Sequence, residues 1–121
     1  MINENKISRF ILELIKKTKK GIVEWEQYEY SPHSEDSNEK LIDYVYFSQI
    51  KDKKFRIFKY KIKTYTEEYE WDWSERIKLA VIDDEGNVIY DFPYEYSLHN
   101  LYDSVREKTS GISDFIDDFL N

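Results

Sequence analysis

The amino-acid sequence predicts an α+β fold: an N-terminal helix, a five-stranded antiparallel meander, and two C-terminal helices packed on one face of the sheet. Three observations carry this. Apolar residues recur at helical spacing near both ends, in Ile7, Phe10, Ile11, Leu14 and Ile15 and again in Ile112, Phe115, Ile116, Phe119 and Leu120. Between them the period drops to two. It is clearest in Phe58-Lys59-Tyr60-Lys61-Ile62-Lys63, where apolar and basic residues alternate as on a strand with one dry and one wet side. The apolar segments of this middle region are separated by short turn-forming stretches, which favours hairpins over long crossovers.

Each element has its own signals. The first helix runs from about Asn5 to Lys20, with Asn3 or Asn5 available as a cap. Lys16, Lys17, Lys19 and Lys20 meet the negative end of its dipole, and Gly21 supplies the helix stop. A strand follows from Ile22 to about Tyr30, then a polar loop from Pro32 through Glu39. The second strand spans Leu41 to Ile50, with Leu41, Val45 and Phe47 in one phase and Tyr44 and Tyr46 in the other. Lys51 to Lys54 form a turn, and the third strand covers Phe55 to Thr66. Its apolar phase shifts between Ile57 and Phe58, the mark of a bulge or of a strand buried on both sides. Glu67 to Glu70 break the chain before a fourth strand from Trp71 to Ile82. Asp83-Asp84-Glu85-Gly86-Asn87 is a hairpin loop, and a fifth strand runs from Val88 to Phe92 and stops at Pro93. Leu98, Leu101, Tyr102 and Val105 stripe a helix from Ser97 to Lys108; Gly111 breaks it, and Ser113 caps a last short helix with Asp114 and Asp117 in its first turn.

Composition bounds the class. The chain has 121 residues, read as a single α+β domain over 1–121. It carries no cysteine, which excludes disulfides and zinc–thiolate sites and suits a reducing compartment. The first residues lack the pattern of a signal peptide, and no apolar run approaches the ~20 residues of a membrane span, so the expectation is a cytoplasmic protein with no membrane partner. The net charge of -7 opposes generic polyanion binding, and 17% aromatic residues is too many for disorder.

Little here carries known chemistry. Gly21, Gly86 and Gly111 each serve a helix stop, a hairpin or a helix break, and none belongs to a phosphate loop. His33 stands alone in a polar loop, and His99 falls between apolar positions of its helix, at a surface or boundary. The acidic run at Asp83 is too short for an EF-hand loop, and Asp114, Asp117 and Asp118 read as helix-capping charge on a solvated face. The sequence therefore points away from an enzyme and implies no catalytic residue, no metal and no cofactor. An enzyme would need a carboxylate or tyrosine site that no motif marks.

One constellation stands out. If Phe58, Tyr60 and Ile62 face inward, Lys59, Lys61 and Lys63 face water. Arg76 and Lys78 join them if Ile77, Leu79 and Val81 are buried, as do Tyr44 and Tyr46 if Val45 and Phe47 are buried. Such a basic-aromatic face can bind an acidic protein partner, which is the leading reading. A small-molecule or single-stranded nucleic-acid binding module is the alternative, and the acidic net charge weighs against nucleic acid. The bland reading is a set of solvated lysines paired with acidic residues across strands. Trp25, Trp71 and Trp73 read as core or sheet-edge packing, with an aromatic box for a ligand as the other choice. An exposed edge, the first or fifth strand, could pair two copies; otherwise the chain is a monomer.

Two segments carry a resemblance. Thr18-Lys19-Lys20-Gly21-Ile22-Val23-Glu24-Trp25 has the form T-x-x-G-x-x-x-W directly after a helix, and Leu101-Tyr102 with Gly111 through Leu120 completes the pattern at the other end. In these the chain resembles a loose group of small, uncharacterised bacterial proteins of about this length. The resemblance implies a bacterial cytosolic accessory protein and lends no activity or site residues.

Overall fold

The computed structural model describes residues 2–28 and 39–121. The elements follow one another as α1 (Glu4–Lys19), β1 (Glu26–Tyr28), β2 (Glu39–Ile50), β3 (Lys53–Glu67), β4 (Glu70–Ile82), β5 (Val88–Asp91), α2 (Ser97–Ser110) and α3 (Ile112–Leu120). The five strands are antiparallel and lie in the order β1-β2-β3-β4-β5, so the meander is realised and β1 and β5 are its edges.

α1 begins where Asn3 accepts a 2.9 Å hydrogen bond from the Lys6 backbone N–H, satisfying one of the unpaired donors of the first turn. It buries Ile7, Ile11, Leu14, Ile15 and Thr18. Gly21 adopts a left-handed φ of +76°, and the next two N–H groups turn back to the Lys17 carbonyl. The T-x-x-G-x-x-x-W segment then has a structural explanation. Thr18 is fully buried, Trp25 is 7% exposed, and the indole N–H of Trp25 donates to Thr18 Oγ1 at 3.1 Å. Threonine, glycine and tryptophan together fix how β1 leaves the helix.

The hairpins are tight. β2 and β3 meet at Lys51, the one described non-glycine residue with positive φ (56°). The β4–β5 loop is built on Asp83, whose carboxylate accepts from the backbone N–H groups of Asn87 and Glu85 at 2.8 and 3.0 Å. Those bonds, with Asn87 first, hold the Asp83 carboxyl below its ordinary range. Gly86 supplies the positive φ the loop needs.

The core lies between α1, α2 and one face of the sheet. Ile11, Leu14, Leu98, Leu101, Tyr102 and Val105 meet Tyr46, Phe55, Ile57, Ile77, Leu79 and Val81. α1 crosses the strands: near its start Ser8 bonds Glu95, which follows β5, and near its end Thr18 bonds Trp25, which precedes β1. Phe10, Phe55 and Phe92 stack at the β5 end of this interface.

Some expectations need correction. β1 is three residues long, and its expected end at Tyr30 lies outside the described residues, as do Pro32, His33 and the acidic residues around it. The phase shift at Ile57–Phe58 is not a bulge, because β3 pairs with β4 without interruption from Lys54 to Tyr65. It is burial on both sides: Phe55, Arg56, Ile57 and Phe58 are all buried in succession. The irregularity falls in β2 instead, between Ile42 and Tyr46. Ser113 is not a cap; Gly111 occupies that position, and Ser113 lies within the first turn. α2 packs on the sheet, whereas α3 makes its contacts chiefly with α2 and buries none of its residues. Trp25 is core, but Trp71 is 46% exposed and not part of the core. No helix among the described residues is long and apolar enough to cross a membrane.

Candidate binding surface

Strand parity decides which side chains share a face. Phe55 and Ile57 are in the core, and each second residue of a strand returns to the same side. Lys59, Lys61 and Lys63 therefore stand on the helix-covered face, beyond the helices, while Phe58, Tyr60 and Ile62 stand on the other. The expected single basic face does not form: Arg76 and Lys78, paired with Tyr60 and Phe58, lie opposite the three lysines. The premise failed because a period of two gives the alternation but not its sign.

Lys59 and Lys63 are anchored within the chain, and Lys61 stands opposite Glu75 in the register. Lys59 Nζ lies 3.7 Å from Glu75 and 5.1 Å from the ring centre of Tyr102. Lys63 sits over Trp71 and Trp73, at 4.5 and 5.6 Å, and those two rings meet edge to face at 5.4 Å. Tyr46 is 2% exposed and packs edge-on against Tyr102, so it belongs to the core and not to a binding face. Tyr44 is 39% exposed and sits in the irregular stretch of β2.

The outer face, opposite α1 and α2, carries Lys54, Arg56, Arg76 and Lys78 close together on β3 and β4. Its rows read Lys54–Ile82, Phe47–Arg56–Ala80, Phe58–Lys78 and Tyr60–Arg76 from strand to strand. Each cation lies along a ring: Lys54 over Phe47 at 5.3 Å, Arg56 over Phe58 at 5.4 Å, Lys78 over Tyr60 at 5.8 Å, and Arg76 over Tyr94 at 5.0 Å. The aliphatic stems cover the strands, and a dry strip results in which Val45, Ala80, Ile82 and Phe58 are buried. The acids by register on this side are Glu26 and Asp91 on the edge strands, Asp72 opposite Thr64 on β4, and Glu39 opposite Ile62 on β2. Beside Phe47 and Lys54 an open trough of about 720 Å³ follows the β1–β2 edge.

Arg56 is the anomaly of this surface. It is 9% exposed, its Nε is buried with no hydrogen-bond partner, and no carboxylate among the described residues pairs with it. Removing a guanidinium from water without an anion costs several kcal/mol in real proteins, and stacking on one ring returns about 0.5–2 kcal/mol. Sequence reasoning missed Arg56 because it sits between Phe55 and Ile57, where an isolated basic residue looks like a wet strand position. It also missed the Arg76–Tyr94–His99 series, in which Tyr94 Oη and His99 Nε2 lie 2.7 Å apart. His99 is half-buried there, consistent with a boundary position.

Among the described residues no group of three or more His, Cys, Asp or Glu is placed to hold a metal ion. Comparison of the chain with family models, with curated proteins and with solved structures gives no match.

Proposed function

We propose that this protein is a non-enzymatic binding module that holds an acidic segment of a partner protein on its outer sheet face. The observation that carries the reading is Arg56, 9% exposed, with its Nε buried and no carboxylate paired with it among the described residues. Lys54 and Lys78 lie on the same face within one or two residue positions of it, and the rings of Phe47, Phe58 and Tyr60 form the floor. A carboxylate entering here would meet a planar donor already held against Phe58 at 5.4 Å, so little ordering remains to be done on binding. The trough beside Lys54 is lined by Ile22, Trp25, Tyr28 and Phe47 together with Glu24 and Glu26, so it suits an apolar or uncharged side chain next to the carboxylate, not a second acid. The net charge of -7 favours a local carboxylate contact over a long phosphate backbone, since the rest of the surface repels a polyanion.

The test is a fluorescence-anisotropy titration with a labelled glutamate-rich peptide, run beside a labelled thymidine oligonucleotide. The peptide is expected to bind wild-type protein and to lose binding about tenfold or more in Arg56→Met and in Lys78→Glu. Equal peptide binding by wild type and Arg56→Met overturns the reading. Oligonucleotide binding that falls steeply with salt while the peptide stays free replaces it with a single-strand nucleic-acid reading.

A further inference from the structure

Charge changes sign across the outer face. Over β3 and β4 it carries Lys54, Arg56, Arg76 and Lys78. At the β1 edge, the trough of about 720 Å³ is bordered by Glu24 and Glu26, with Lys54 on its β3 side. The apolar rim of that trough is open: Ile22 is 67% exposed and Tyr28 48%. Tyr28 is fixed from two directions. Its hydroxyl donates to Glu26 at 2.7 Å, and its ring meets Phe47 edge to face at 5.3 Å. The volume falls in the range of pockets that take an organic group of ligand size.

One peptide can reach both Arg56 and the trough. Arg56 pairs with Phe47, and Phe47 with Glu26, so the row crosses from β3 to β1 in two strand spacings of about 4.8 Å each. In an extended segment laid along that row, side chains two residues apart share a face and stand about 6.6 Å apart. With an acid on Arg56, the side chain two positions away falls between Phe47 and the β1 edge, where the trough opens. A second acid there would face Glu24 and Glu26, whereas an aromatic or aliphatic group would cover Ile22 and Tyr28.

We infer that the segment this face selects carries a single acid with an aromatic or large aliphatic side chain two residues away, the acid on Arg56 and the apolar group in the trough. The inference rests on the proposed binding function and adds which segments that face accepts. Arg56 supplies the attraction. Glu24 and Glu26 discriminate against uniformly acidic segments, because like charges brought together at an interface are repelled.

Fluorescence anisotropy with two labelled peptides that differ at one residue tests it: Ser-Gly-Glu-Ser-Phe-Gly-Ser and Ser-Gly-Glu-Ser-Glu-Gly-Ser. Wild type is expected to bind the phenylalanine peptide about tenfold more tightly. Ile22→Ser should weaken that peptide and spare the other, since Ile22 is exposed and its loss leaves the fold intact. Glu24→Lys/Glu26→Lys should abolish or reverse the preference, with circular dichroism confirming an unchanged fold. Equal binding of the two peptides by wild type overturns the inference, as does a preference that neither variant alters. Arg56→Met separates this from the reading beneath it. If the peptides bind wild type equally and both weaken in Arg56→Met, the acid-binding reading stands and the selectivity fails. If neither weakens in Arg56→Met, both fail.

Discussion

Replacing Arg56 with methionine should make the free protein more stable. Arg56 is 9% exposed as a whole residue, has a buried Nε without a partner, and pairs with no carboxylate among the described residues. Its desolvation costs several kcal/mol, and the stack on Phe58 at 5.4 Å returns up to about 2 kcal/mol. Methionine keeps an unbranched apolar stem against Phe47 and Ala80 and removes the charge. The expected gain is about 2 kcal/mol, which for a chain of this length raises Tm by roughly 8 °C. Urea unfolding followed by far-UV circular dichroism reads the free energy, and calorimetry reads the melting shift. Arg56→Lys serves as the control. It keeps a cation at the same depth without the flat face, so it should gain no stability. A loss of more than about 1 kcal/mol in Arg56→Met would refute the reasoning, because breaking a paired buried charge is what destabilises. Under the proposed function the same variant gains stability and loses peptide binding, so the two measurements check one reading from opposite sides.

Two further predictions concern the scaffold. Thr18→Val strands the buried indole N–H of Trp25 and should cost about 1–3 kcal/mol in urea unfolding; a cost below about 0.5 kcal/mol would show that the hydrogen bond does not tie helix to strand. Asp83 has a folded-state pKa below its unfolded value, so its contribution is present above about pH 4 and is lost as pH falls through the lower folded value. Asp83→Asn should therefore narrow the stability difference between pH 6 and pH 2 relative to wild type, and an unchanged acid profile in that variant would contradict the loop assignment.

Much of the fold was legible because its signals are local. The stripe from Ile7 to Ile15, the Asn3 cap, the lysine-rich last turn and Gly21 each act within a turn or two, and all agree on one helix. Turn chemistry at Lys51, at Glu67–Glu70 and at Asp83–Asn87 fixed the meander for the same reason. The errors arise where the deciding partner is distant in sequence. α3 has the strongest amphipathic pattern of the C-terminal half, yet periodicity states only that a helix has an apolar side, not that its own chain covers it. The tyrosines of β2 were placed by alternation alone, and Tyr46 proved to be core because α2 brings Tyr102 against it.

The hairpin shows why the site in particular escaped a local reading. β3 has 15 residues, roughly 50 Å of extended chain, whereas two helices laid side by side across it shield about 20 Å. Half of the strand is therefore sandwiched between a helical layer and the dry strip of the outer face, and the other half projects past the core. In the first half every position from Phe55 to Phe58 is buried whichever way it points, so alternation is erased where it would have set the phase. In the second half alternation is clean, but neither side is covered, and the pattern alone cannot say which side continues the core. The phase has to be carried forward from Ile57, two residues at a time, and doing so puts Lys59, Lys61 and Lys63 beside the helices and Arg56 with Lys78 on the outer face. The overhang leaves Tyr65 and Trp71 exposed beside Lys61, Lys63 and Glu75, while Lys54, Arg56 and Lys78 lie on the outer face of the covered half.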